Sequence, residues 1–268
     1  LGCPIEDIDI VEGDTDRQPF GIGTFASRSM TLAGAAIVRS TDKIIAKARA
    51  LAAHLLRCAV EEIAYEDGYF IRRGTNQGLS FQDVAKAAYT GADYPEGFEL
   101  GLEETSFFDP ADYNYPTSIH FCTVVVDTET GKVSLKSYGS VEDHGRVINP
   151  MIVDGQLHGG AAQGIGQALM ETCVFDPETG QPLTGSFMDY CLPRADDLPS
   201  FKVVTQETLS PGNPLGVKGA GESGTIGAPA TVANAVVDAL WHLGVRHIDM
   251  PLTPQRVWQA IQRATARQ

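Results

Sequence analysis

The chain has 268 residues, 43% of them apolar and 20% charged, which is ordinary for a globular protein and long enough for one large core or two smaller ones. Acidic side chains number 34 against 20 basic ones, a formal net charge of −14, and without a cluster of cations to displace counterions this weighs against a nucleic-acid surface. No apolar run reaches the roughly 18 residues of a membrane span, and Leu1–Ile10 has neither the basic start nor the apolar stretch of a signal peptide, so the chain is expected to be a piece of a longer protein or a processed product.

In chain order, Ile8–Glu12 is β-branched and predicts a short strand, followed by a loop of turn formers from Gly13 to Gly23. Ile44, Ala48, Leu51, Ala52 and Leu55 recur at helical spacing, which predicts a helix over about Ser29–Val60. Asp67-Gly68 between Ile63–Tyr65 and Tyr69–Arg72 signals a hairpin, and Ser80 with Asp83 caps a helix over Phe81–Ala88. Thr90–Pro116 mixes aromatics, acids and prolines and is the expected seam between a first lobe, residues 1–110, and a second, residues 111–268. A second hairpin is predicted from His120–Asp127 and Val133–Val141, and a glycine-rich helix over Gly155–Glu171 places Gln163 and Gln167 on one face. Val203–Thr208 reads as a strand, Pro229 as the opening of a helix to about Leu243, and Thr253-Pro254 as the start of a last helix carrying Arg256, Arg263 and Arg267. Hairpins and helices alternate without a βαβ rhythm, so the expected class is α+β: two lobes of hairpins and small sheets packed with helices.

The five cysteines, Cys3, Cys58, Cys122, Cys173 and Cys191, are scattered and form no CxxC pair. That excludes a disulfide framework and an in-chain zinc or iron–sulfur site, and predicts buried free thiols in a reducing, cytoplasmic setting. The six histidines form no HExxH, and no metal ligand is expected from this chain.

Three glycine-rich stretches carry the chemistry: Gly21–Ser29, Gly159–Gly166 and Gly216–Gly227. Glycine permits close backbone approach, and free N–H groups at a helix start suit phosphates. Ser27, Ser29 and Gln163 add side-chain donors and acceptors. The stretches either hold a large polar ligand with phosphate groups or merely permit turns and helix packing; three in one chain favour the ligand. Gly219–Gly224 satisfies G-x-G-x-x-G, but Pro211–Gly216 before it cannot form the strand that a dinucleotide fold requires, so a nicotinamide-dependent reading is rejected. Glu222 is the only acid of the third stretch. It is either a base made usable by burial or a surface glutamate paired with Lys218.

Gly216–Gly224 resembles the glutamate loop of the xanthine oxidase family of molybdenum hydroxylases, and Gly23–Ser29 resembles a cofactor loop of the same family, in the form found in bacterial carbon monoxide dehydrogenase large subunits. Val141–Pro150, Ala161–Met170, Phe187–Tyr190 and Pro251–Pro254 resemble further family segments in the same order, so the likeness runs along nearly the whole chain. It implies a molybdenum–molybdopterin cytosine dinucleotide cofactor. Thr24, Ala26, Ser27, Arg28 and Ser29 would line one side of it, Gln163 and Gly164 would contact the pterin, and Lys218, Gly219 and Gly221 would wrap it. Glu222 would be the base in hydroxylation of an aldehyde, an N-heterocycle or carbon monoxide with oxygen from water. It also implies partners: an N-terminal molybdopterin half that shapes substrate choice, an FAD-binding subunit and an iron–sulfur (2Fe-2S) subunit. A non-catalytic molybdopterin-binding or assembly module that keeps the fold is the alternative.

Overall fold

In the computed structural model, which describes residues 1–18, 20–91 and 93–266, the chain divides into two compact units: residues 1–24 with 32–110, and residues 25–31 with 111–268. Pro19 of the turn-rich loop and Arg267 of the last helix lie outside the described residues.

The first unit is built on α1 (Ala35–Leu55), a three-stranded antiparallel sheet of β1 (Ile63–Glu66), β2 (Tyr69–Arg72) and β3 (Gly78–Ser80), and α2 (Phe81–Thr90). Asp67 and Gly68 both adopt positive φ, 48° and 82°, the backbone a two-residue hairpin turn requires. The Ser80 hydroxyl accepts from the Asp83 N–H and donates to its carboxylate, closing the start of α2. Leu51, Ala52, Phe70 and Val84 are fully buried in one core, each large side chain stabilising the unit by about 1.5–3 kcal/mol. The long helix predicted from Ser29 begins as a π turn over Met30–Gly34 and stops at Leu55, because Arg57 turns left-handed (φ 52°). Ile8–Glu12 is not a strand: no neighbouring chain offers it a ladder among the described residues, and Ile8 and Ile10 are exposed.

The second unit has a mixed sheet in the order β4 (Thr117–Val126), β5 (Val133–Asp143), β6 (Phe201–Thr205), with β4–β5 antiparallel and β5–β6 parallel. Three helices accompany it: α3 (Pro150–Leu169), α4 (Ser223–Ala239) and α5 (Pro254–Thr265). Asn149 and Thr253 cap α3 and α5, each followed by proline in the first turn. Val232, Val236, Leu240, Ile165 and Leu252 meet in the core. The crossing of α3 and α4 depends on missing side chains: a Cβ on Gly164 would lie 2.8 Å from Ala228 Cβ and 2.9 Å from Pro229 Cδ. Pro229 therefore does not open α4 but sits inside it, its ring taking up space that Gly164 leaves. The helix begins instead at Ser223, where a pair of glycine-rich surfaces can meet.

The five thiols are free, but the expectation of burial fails: Cys173 and Cys191 are exposed and the others half-buried. No helix among the described residues is long and apolar enough to cross a membrane.

Candidate active site around Glu222

The third glycine-rich stretch passes the end of β5, where three successive residues, Glu142, Asp143 and His144, each hold it. Ser223 Oγ donates to Glu142 Oε2 at 2.7 Å. Lys218 Nζ donates to Asp143 Oδ2 at 2.8 Å. His144 Nδ1 stands 2.8 Å from the Gly219 carbonyl oxygen, and the Lys218 N–H donates to the His144 carbonyl. Gly145 pairs with Val217 beside them. Behind the loop, the Val217 carbonyl accepts from Asn213 Nδ2 (2.9 Å) and Asn114 Nδ2 (2.6 Å), and the Val217 N–H donates to Asn213 Oδ1. Partial burial pushes the Asp143 carboxyl up, but the Lys218 ammonium and the N–H groups of Gly145 and Thr208 outweigh it and bring it down to about 2.

Glu222 itself stands at the N-cap of α4 and is exposed, so the burial expected of a base is not found. It does not pair with Lys218, which the Asp143 ion pair occupies. Its partner is Ser27: the hydroxyl donates to Glu222 Oε2 at 2.8 Å and accepts from the Glu222 N–H at 2.9 Å. To reach that position Ala26 and Ser27 both adopt left-handed backbone, φ 52° and 53°, a conformation that non-glycine residues seldom take twice in succession without surrounding constraint. Gly219 is what lets Ser27 in, since a Cβ there would stand 2.8 Å from Ser27 Cβ.

The other sequence-derived candidates fall into three groups. Ala26, Ser27 and Ser29 lie in the segment that belongs to the second unit, where Arg28 also stacks its guanidinium on the Phe25 ring at 3.7 Å; Thr24 is exposed at the edge of the first unit. Gln163 is exposed on α3, on the same face as Gln167. Gly164 is buried in the α3–α4 crossing, and Gly159–Gly166 lies within α3 as the predicted helix requires, so its N–H groups serve the helix and are not free for phosphate. Gly221 lies against Ser27 Oγ and Gln156 Nε2, and its carbonyl accepts from Gln156 Nε2 at 3.1 Å.

Sequence reasoning missed Gln156, although it stands two turns before Gln163 and so on the same face. It also missed the cluster behind the loop, where Glu142, fully buried, lies 3.2 Å from His120 Nε2 and 3.5 Å from His144 Nε2. No sequence spacing announces that cluster, because the β4–β5 register brings His120 beside it and α4 supplies Ser223. No strand precedes Gly219–Gly224, in keeping with rejection of a dinucleotide fold, and no group of three His, Cys, Asp or Glu is placed to hold a metal ion among the described residues.

Residues 1–199 match the family model of the molybdopterin cofactor-binding domain. The chain is 40% identical over 262 residues to the carbon monoxide dehydrogenase large chain of Hydrogenophaga pseudoflava, covering 97% of this chain and 32% of that one. It is also 40% identical over 262 residues to the nicotine 6-hydroxylase large subunit of Paenarthrobacter nicotinovorans, with the same coverage. Its fold superposes on reconstituted carbon monoxide dehydrogenase from Oligotropha carboxidovorans with a TM-score of 0.91 at 36% identity, over 100% of this chain and 33% of that one. The chain thus spans about a third of the length of the relatives it matches.

Proposed function

Because this chain belongs to the molybdopterin cofactor-binding domain family, as found in large subunits of molybdenum hydroxylases, we propose that it is the base-bearing, cofactor-holding part of an oxidoreductase that hydroxylates a substrate carbon with oxygen from water. The substrate would be an aldehyde, an N-heterocycle or carbon monoxide.

One observation carries the reading: Glu222 is a carboxylate open to a ligand yet clamped, backbone and side chain, by a single serine. The surface beside it suits a pterin. Gln156, Gln163 and Gln167 share the exposed stripe of α3, and a Cβ on Gly159 among them would meet nothing within 4 Å. Side-chain amides both donate and accept, as the edge of a pterin ring demands, and bare backbone lets a flat ring approach. Gln163, with the Ala26–Ser29 segment and the Lys218–Gly221 loop, would hold the group, in its cytosine dinucleotide form. The molybdenum–pterin group, when bound, supplies two-electron oxidation and the hydroxylating oxygen. The chain's own contribution is the base: Ser27 occupies Oε2 of Glu222, and the proton goes to Oε1. The electrons would leave through iron–sulfur and FAD subunits, and an N-terminal molybdopterin half would complete the pocket.

Replacing Glu222 by Gln in the complex purified from its host keeps the shape and the Ser27 contact but removes the base. Turnover on a panel of aldehydes, purines, pyridines and carbon monoxide is expected to fall by roughly 10²–10⁴-fold, with molybdenum per chain unchanged by elemental analysis. A near wild-type rate would defeat the base assignment, and loss of molybdenum would make Glu222 structural. A wild-type complex that holds molybdenum but turns over nothing on the panel would favour the assembly module.

A further inference from the structure

The cluster behind the loop has a purpose that the reading of Glu222 alone does not absorb. Glu142 is 0% exposed. A buried carboxylate costs several kcal/mol unless it is paired and hydrogen-bonded, and an apolar residue in the same place would spare that cost. Beside Glu142 stand the imidazoles of His120 and His144, with Nε2 atoms at 3.2 and 3.5 Å and side chains 4% and 2% exposed. His120 Nδ1 is tied to the Tyr138 hydroxyl at 2.7 Å and His144 Nδ1 to the Gly219 carbonyl. Both Nε2 atoms therefore converge on Glu142, off the axis of a straight hydrogen bond. The short, well-formed bond that Glu142 makes is the one to Ser223, the residue after Glu222. Burial pushes the Glu142 carboxyl up, but His120, Ser223 and Ser140 outweigh it and hold it below the usual glutamate range, so the acceptor stays ionised.

The rest of the first turn of α4 is gripped as well. A Cβ on Gly227 would run into the His120 ring, and one on Gly224 into the α3 backbone at Leu157 and Ala161. The turn thus has the hairpin on one side, α3 on the other and a buried anion beneath Ser223.

We propose that Glu142, backed by His120 and His144, is a positioning residue for Glu222: it accepts from Ser223 and stands against the ring of His144, whose Nδ1 meets the Gly219 carbonyl, so that both ends of the segment presenting the Glu222 carboxylate are fixed. This rests on Glu222 being the base, and it adds that the base's placement is set from inside the domain rather than by the bound cofactor. Catalytic groups tolerate little slack, and a displacement of about 1 Å from a remote change can cost on the order of 10²-fold.

The test uses the whole complex with Ser223→Ala, Ser223→Thr and Glu142→Gln, read first by hydrogen–deuterium exchange. Amides of the 219–224 segment are expected to exchange faster in Ser223→Ala and Glu142→Gln, to return toward wild type in Ser223→Thr, and the 63–72 hairpin to stay unchanged. Turnover on the same substrate panel is then measured for Ser223→Ala with and without Glu222→Gln. The hydroxyl's removal should lower kcat by tenfold or more, on the order of the misplacement effect, with KM little changed, and should have almost no further effect once Glu222 is gone. Unaltered exchange at 219–224 in both single variants would overturn the proposal, as would an equal loss of kcat in the two backgrounds. A Glu222→Gln complex with wild-type turnover would bring down the base reading instead, while the exchange data would still decide whether Glu142 holds the loop.

Discussion

Glu142 and Glu222 lie in the same unit, and each is held by a serine from a distant part of the chain, Ser223 for the first and Ser27 for the second. Their surroundings differ in every other respect. Glu142 is sealed between two strands and a helix with imidazoles on two sides; Glu222 is exposed at a helix start with one hydroxyl for company. The contrast separates two uses of one functional group. A carboxylate sealed from solvent among polar neighbours is suited to holding those neighbours in place. A carboxylate that is fixed and still accessible can exchange a proton with a ligand.

Stability measurements can break this contrast. The largest effect is expected for Glu142→Ala, which leaves the Ser223 hydroxyl buried without its acceptor and a void beside His120 and His144, and should destabilise the domain by about 2–5 kcal/mol in thermal or denaturant unfolding. A loss under about 1 kcal/mol would mean the cluster is not the keystone described. Next comes Gly164→Val, which drives a branched side chain into Ala228 and Pro229 at the α3–α4 crossing; overpacking of this kind costs about 1–3 kcal/mol. Asp143→Asn should show itself in the acid limb. The native carboxyl lies at about 2 against an ordinary 3.8, so its contribution is full above 3.8 and disappears as the pH falls toward 2. The variant's stability should therefore vary less across that window than the wild type's, and parallel curves would refute the Lys218 pairing as its cause. Glu222→Gln should change stability least, within about 0.5 kcal/mol; a larger shift would erase the distinction between the two glutamates.

Local chemistry made much of the fold legible. Asp67-Gly68, Ser80 with Asp83, and Thr253-Pro254 each act within a few residues, and each forms the turn or cap it predicts. Glu222 stood out because it is the lone acid among glycines. What stayed hidden depends on partners far along the chain. Pro229 looks like a helix start until Gly164 supplies room for its ring inside α4. Gly160 and Gly164 look like ligand contacts until α4 packs on them. Lys218 looks like the companion of Glu222 until the end of β5 delivers Asp143. The His120–Glu142–His144 group needs the β4–β5 register and the start of α4 together, and no window of sequence contains all of these.

The serine beneath Glu222 has a consequence for proton transfer. Its hydroxyl has one hydrogen, directed at the carboxylate, while its oxygen receives the Glu222 N–H. A carboxyl group protonated on one oxygen keeps the other as an acceptor. With Ser27 donating to Oε2, a proton taken up by Glu222 would settle on Oε1, and the Ser27 contact would keep its direction. If Glu222 is the base, it would cycle between its two forms with both Ser27 contacts intact.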